Sequence, residues 1–300
     1  MTAVASRRNS GFYTSSIASL ASPFLIFFFA LLLGRQQILL GQCMQADQIA
    51  HLVLDSQHNK NALSRQLLNE LSHGLDRAAQ DTDVKALLIR AEGNVFCSGA
   101  DLVARNAKTD TKPRVGSIQR RLPVQAHRLI PTMLSVQVPI VCAVRGWAAG
   151  LGFHLALASD FCVAATDARF WEPFSSRGFT PDSGGTWLIP RLIGVARARE
   201  LLLLGRELSG TEAHMWGLIH RAVVADEVDV VAGDLARSLA DGPTVSLGLT
   251  KWLINVAGDA DVETHLRNEA FALELSSRST DFGEGLTAFR DKRPPAFEGR

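Results

Sequence analysis

The sequence predicts an α/β chain with a helical C-terminal part. Two observations carry that expectation. Short apolar runs alternate with helical patterns through short turns from residue 48 to about 165, and from Gly184 onward the pattern is almost wholly helical. At 300 residues, 47% hydrophobic and 20% charged, the chain can bury one large core or two modest ones.

Each element has its own signal. Residues 49–54 (IAHLVL) read as a strand, and Asn59-Lys60-Asn61 then turns the chain into a helix from Ser64, an N-cap residue, to Ala79. A second strand, 85–90 (KALLIR), runs into the loop EGNVFCSGAD at 92–101, and residues 104–115 read as a basic loop. One helix spans 117–135, marked by Pro123 and Pro131. A strand at 139–144 (PIVCAV), a tight turn over 146–152, a helix over 151–158 and a strand at 160–164 follow. Helices are expected at 184–191, 195–204, 211–217, 226–240, 244–257, 261–277 and 280–290, with one short strand at 219–224. Strands joined by helices through short turns argue for βαβ-type units around a buried sheet.

The N-terminus is a compositional exception. Arg7 and Arg8 precede an apolar run from Ile17 to Leu33. As a helix that run spans about 25 Å, short of the ~30 Å hydrocarbon core, and no small-residue cleavage site follows it. It reads as a loose extension or a mis-assigned start ahead of Met44, with a membrane anchor or a cleaved signal as the alternatives. Membrane contact is expected only if residues 17–33 are a real anchor. The chain then divides into an extension (1–43), an α/β core (44–240) and a helical region (241–300), the last boundary set by Asp241-Gly242-Pro243.

Thirty-one Lys and Arg against 30 Asp and Glu leave a net charge of +1, with no overall attraction for nucleic acid. Cys43, Cys97, Cys142 and Cys162 are far apart, with no metal-ligand spacing. They read as reduced thiols of a cytoplasmic protein, with no metal site.

Two segments have backbones suited to chemistry. Phe96-Cys97-Ser98-Gly99-Ala100-Asp101 places small residues just past a strand, where a substrate can approach exposed N–H groups. In Gly146-Trp147-Ala148-Ala149-Gly150-Leu151-Gly152, glycines bracket a helix start whose unpaired N–H groups favour a negative oxygen. Taken singly, each also reads as an ordinary tight turn. Together they can form an oxyanion hole, each donor worth roughly 3 kcal/mol of transition-state stabilisation. Pro181-Asp182-Ser183-Gly184-Gly185-Thr186 imitates the GDSGG segment of trypsin-like proteases, but that fold is all-β and its other motifs are absent here.

The motifs NAL (61–63), FCSGADL (96–102), RGWAAGLGFHLALASDF (145–161), PDSGGTWLIPRLIG (181–194) and FGEGLTAFRDKRPPAF (282–297) resemble, in that order, those of the crotonase superfamily, the enoyl-CoA hydratase/isomerase family. The resemblance implies a spiral of ββα units with a C-terminal helical trimerisation region, and a homotrimer or dimer of trimers. It implies an acyl-CoA substrate, with coenzyme A carried by that substrate and no other cofactor. The oxyanion donors would be the N–H groups of Ala100 and Leu151. Coenzyme A would lie against Lys60, Ala62, Leu63, Ser98 and Ala100, with Phe289 and Lys292 reaching a neighbouring subunit's coenzyme A.

The sequence departs from that pattern where hydratases carry two glutamates. These positions hold His154, which can exchange a proton, and Phe174, which cannot. Asp182 is the available carboxylate, either as proton carrier or as a cap for the helix that follows. Glu172 is the reserve, with a structural or surface role as its other reading. One carboxylate beside an oxyanion hole suffices for a 1,3-proton shift, so isomerisation is favoured. A hydratase using His154, and a binding protein without catalysis, are the alternatives.

Overall fold

The chain's first predicted strand forms at Ile49–Asp55 (β2) in the computed structural model, which describes residues 37–41, 48–101 and 114–300. Residues 17–33 and the basic positions Arg105, Lys108 and Lys112 lie outside the described residues. Of 37–41 only the backbone is described. It forms a strand (β1, Gln37–Gly41) antiparallel to β2, with Gln37 opposite Asp55.

The remaining strands of the main sheet, β3 (Ala86–Ala91), β4 (Ile140–Val144), β6 (Phe161–Ala165) and β9 (Arg221–Val223), pair in parallel in the order β1-β2-β3-β4-β6-β9. A parallel sheet covered on both faces needs continuous apolar runs, and IVCAV of β4 is buried at every position. Helix α1 (Arg65–Gln80) covers it with Leu67, Leu71, Leu75 and Ala78, a spacing that keeps them on one face. The Ser64 hydroxyl caps this helix by accepting from Leu67 N–H, as the sequence predicts.

Residues 117–135 do not form one helix. They break into α2 (Ser117–Arg121), two 3-10 turns and α3 (Leu129–Ser135). Pro123 explains the break: its ring cannot donate to the preceding turn, whereas Pro131 sits in the first turn of α3, where no donor is missed.

Residues 147–149, read in the sequence as part of a turn, form a strand, β5 (Trp147–Ala149). With β7 (Arg169–Trp171) and β8 (Leu208–Ser209) it builds a small second sheet. Strands of two or three residues show no periodicity, so their pairing is written only in distant partners.

Helix α4 (Leu151–Ala158) follows β5 directly. Beyond it α5 (Gly185–Leu204) is interrupted at Gly194, whose φ of 75° divides it into the two predicted halves. Then come α6 (Gly210–Met215), α7 (Val228–Ala240), α8 (Thr244–Val256), α9 (Val262–Ser276) and α10 (Thr280–Asp291).

Lys251 of α8 ties this helical part to the sheet. Its Nζ donates to Asp160 Oδ2 at 2.8 Å, and the same carboxylate oxygen accepts from Ile140 N–H. Among the described residues no helix is long and apolar enough to cross a membrane.

Candidate active site

The two small-residue segments meet. Cys97 N–H donates to Trp147 O and Ala149 N–H donates to Cys97 O, so the 96–101 segment lies along β5. Three glycines permit the approach. A Cβ on Gly146 would stand 1.9 Å from Asn94 O, one on Gly99 2.7 Å from Ala149 O, and one on Gly152 2.5 Å from Cys97 O.

On its other side the segment is bridged by Leu63, whose N–H donates to Gly99 O and whose C=O accepts from Asp101 N–H. In such a bridge the middle residue, Ala100, turns its own N–H away from Leu63. Leu151 is the first residue of α4, and the N–H at that position has no intrahelical partner. The built Cβ of Gly99 would lie 3.8 Å from Leu151 N, so the Ala100 segment and the start of α4 are immediate neighbours.

The 60–63 turn belongs to the same cluster. Lys60 and Asn61 both adopt left-handed backbone, with φ of 58° and 52°. Asn61 is held there by its side chain, which accepts from Ser56 N–H and donates to Glu92 O and Val95 O. Lys60 O accepts from Ser98 N–H at 3.1 Å. Lys60, Ala62, Leu63, Ser98 and Ala100 are therefore contiguous; Ala62 and Leu63 are buried. Phe289, 87% exposed, and Lys292 stand on the outer surface of the last helix.

Facing this cradle is a wall of side chains. His154, on α4, is fully buried, with Nδ1 2.8 Å from Ser183 Oγ and Nε2 2.7 Å from Glu172 Oε1. The Phe174 ring lies parallel to the imidazole at 6.2 Å between centroids. Glu172 is 1% exposed, so its surface reading is overturned, and its Oε2 has no hydrogen-bond partner among the described residues. Burial pushes its carboxyl above the usual range; His154 opposes that shift and the nearby Asp182 charge adds to it.

The capping role for Asp182 also fails, because α5 begins after Gly184 with no side-chain cap. Asp182 is half-buried, and its backbone oxygen is hydrogen-bonded to His127 Nε2. It lines a cavity of about 560 Å³ with Ser183, Thr186 and the apolar Ile130, Leu134 and Trp187. Ser183 is the polar residue that the sequence analysis named only within the protease-like segment it set aside. The DSGG motif named it, but its partner lies 29 residues away on α4.

A spiral of ββα units that lays the 96–101 segment against the start of α4 is the architecture of the crotonase class of enzymes. Comparison with known proteins agrees. Residues 45–300 match the family described as Enoyl-CoA hydratase/isomerase. The chain is 39% identical over 250 residues to the 1,2-epoxyphenylacetyl-CoA isomerase of Escherichia coli K12, covering 83% of this chain and 94% of that one. It is 35% identical over 273 residues to human "Enoyl-CoA hydratase domain-containing protein 2, mitochondrial", covering 89% and 91%. An enoyl-CoA hydratase of Bacillus anthracis superposes with a TM-score of 0.81 at 29% identity, over 88% of this chain and all of that one. The chain belongs to the enoyl-CoA hydratase/isomerase family and is an enzyme of that family.

Proposed function

We propose that this enzyme is an acyl-CoA isomerase in which Asp182 moves a proton along the acyl chain. The N–H groups of Ala100 and Leu151 hold the thioester oxygen as it gains enolate charge. Asp182 takes a proton beside the carbonyl or at its vinylogous position, and returns it elsewhere along the chain. Coenzyme A enters as part of the substrate, against the 60–63 and 98–100 segments, and no further cofactor is used.

One observation carries this reading over hydration. The second glutamate position holds Phe174, buried and parallel to His154, while Asp182 borders the apolar cavity. A single carboxylate there can serve a proton shift, whereas hydration must also hold and activate a water. The 39% identity to a protein named as an isomerase supports the same choice.

The second reading, a hydratase using His154, has one observation in its favour: Glu172 is hydrogen-bonded to the imidazole and can share its proton. The homotrimer or dimer of trimers is part of the proposal. It is supported by exposed apolar side chains on α9 and α10, among them Phe271, Leu286 and Phe289. A cytoplasmic location is proposed from the free thiols of Cys97, Cys142 and Cys162, all buried.

The test is incubation with 2-enoyl- and 3-enoyl-CoA esters in D₂O, followed by mass spectrometry. Double-bond migration with deuterium uptake is expected, and Asp182→Asn should lower turnover by about 100-fold or more with CoA-ester binding retained. Addition of the elements of water, lost in His154→Ala, would establish the hydratase instead.

A further inference from the structure

We propose that Ser183 is a nucleophile in the cavity wall, with His154 as its base and Glu172 orienting that base, and that this site hydrolyses an activated acyl ester. The inference does not use Asp182 and goes beyond the isomerase reading. A hydroxyl within hydrogen-bond reach of an imidazole, itself fixed by a third group, is the arrangement that activates serine. Here the distances are 2.8 Å from Ser183 Oγ to His154 Nδ1 and 2.7 Å from His154 Nε2 to Glu172 Oε1. With Glu172 ionised, Nε2 carries the ring proton and donates it to Oε1, and Nδ1 accepts from the serine hydroxyl. The two ring nitrogens exchange places relative to the Ser-His-Asp proteases, and the proton logic is unchanged. Glu172 Oε2 is buried without a hydrogen-bond partner among the described residues, so the carboxylate's charge is left to stabilise an imidazolium beside it.

The surroundings supply what a nucleophile needs. Ser183 is part of the wall of the 560 Å³ cavity, whose Ile130, Leu134 and Trp187 can receive an acyl chain. It stands just before α5, whose first intrahelical bonds run from Trp187 and Leu188 N–H to Gly184 O. The N–H groups of Gly185 and Thr186 thus have no intrahelical partner, and Thr186 also lines the cavity. Together with the positive end of the first half of α5, which runs to the break at Gly194, they can hold an oxyanion next to the nucleophile.

The Gly184-Gly185 pair makes this local geometry possible. Gly184 turns the chain with φ of 99°, and a Cβ on Gly185 would stand 2.3 Å from His154 Nε2. Only a residue without a side chain lets the imidazole sit between Ser183 and Glu172.

In the first step Ser183 Oγ bonds to the ester carbonyl carbon and its proton passes to His154 Nδ1. The bond to the thiolate or alkoxide then breaks, and the leaving group takes that proton. Water next adds to the acyl-serine carbonyl, giving its proton to Nδ1. The Oγ–C bond breaks, the proton returns to Oγ, and the carboxylic acid departs.

The full chain is treated with a fluorophosphonate and mapped by peptide mass spectrometry. In parallel it is given p-nitrophenyl butyrate and butyryl-CoA. Butyryl-CoA has no double bond to shift or hydrate, so failure of the isomerase reading leaves this result untouched. One adduct per chain is expected, on Ser183, with release of butyrate from at least one ester that is lost in Ser183→Ala. Labelling should slow by about 100-fold in Glu172→Gln, which keeps the shape of the pair. Release from butyryl-CoA alone would mean that coenzyme A directs binding, and release from both that the acyl group suffices. An unlabelled Ser183 in the folded wild-type chain, neither ester turned over, or unchanged labelling in Glu172→Gln would overturn the proposal.

Discussion

The two sides of the candidate site are made of different material. The segments at 96–101 and 146–152 offer main-chain N–H groups, held by strand-like pairing and by glycines that admit no Cβ. The wall built from α4, residues 172–174 and the start of α5 offers side chains: His154, Glu172, Asp182 and Ser183. A backbone donor is fixed by the fold, and nearly any side chain can occupy its position. A side-chain acid or base changes its chemistry with one substitution. The cradle can therefore keep its form while the side chains of the wall change.

The sharpest way to break the comparison is to delete a backbone donor. Leu151 is the first residue of α4, a position where proline is tolerated because its missing N–H has no helical partner. Leu151→Pro also removes a buried side chain, so it is read against Leu151→Ala: kcat should fall by about 100- to 1,000-fold more in the proline variant, with folding checked by circular dichroism. Leu151→Ala, which trims the side chain and keeps the N–H, should retain most of the turnover. Equal loss in both variants would mean that the side chain matters and the donor does not.

A smaller effect separates backbone strain from close approach. Gly99 has φ of 92° and its Cβ would stand 2.7 Å from Ala149 O, whereas Gly178 has φ of 72° with nothing among the described residues within 4 Å of its Cβ. Gly178→Ala should cost about 1 kcal/mol in urea unfolding, the strain alone. Gly99→Ala should cost about 2–3 kcal/mol, because the two segments must also move apart. Similar losses would show that the segments are loosely joined.

The same contrast explains what was legible in the sequence. The main strands, α1 with its Ser64 cap, and α4 follow from local periodicity and capping, and the structure has them within a residue or two. The cradle was legible because its requirement, small residues at a close approach, is written in consecutive positions. The wall was not. Glu172, Ser183 and His154 are 18 and 29 residues apart along the chain, and only the packing of α4 against the start of α5 and residues 172–174 joins them. The break at Pro123 and the short second sheet escaped for related reasons: one is a steric detail inside an apparent helix, the other a non-local pairing of two- and three-residue strands.

The least intrusive test reads the wall through its pH dependence. Burial raises the Glu172 carboxyl above its ordinary value of 4.5, with His154 opposing. The folded chain therefore keeps this proton after the unfolded chain has released it. Its contribution to stability is full below the unfolded value and is lost as pH rises through the folded one. Glu172→Gln has no proton to lose, so its unfolding free energy should fall less steeply as pH rises above about 4.5. Asp160, also raised by burial despite Lys251, contributes the same slope to both proteins and cancels in the difference. Urea titrations of the two chains across that range read the slopes directly. Parallel curves would mean that Glu172 ionises as freely in the fold as out of it, and that the carboxylate is not held apart from water as its burial implies.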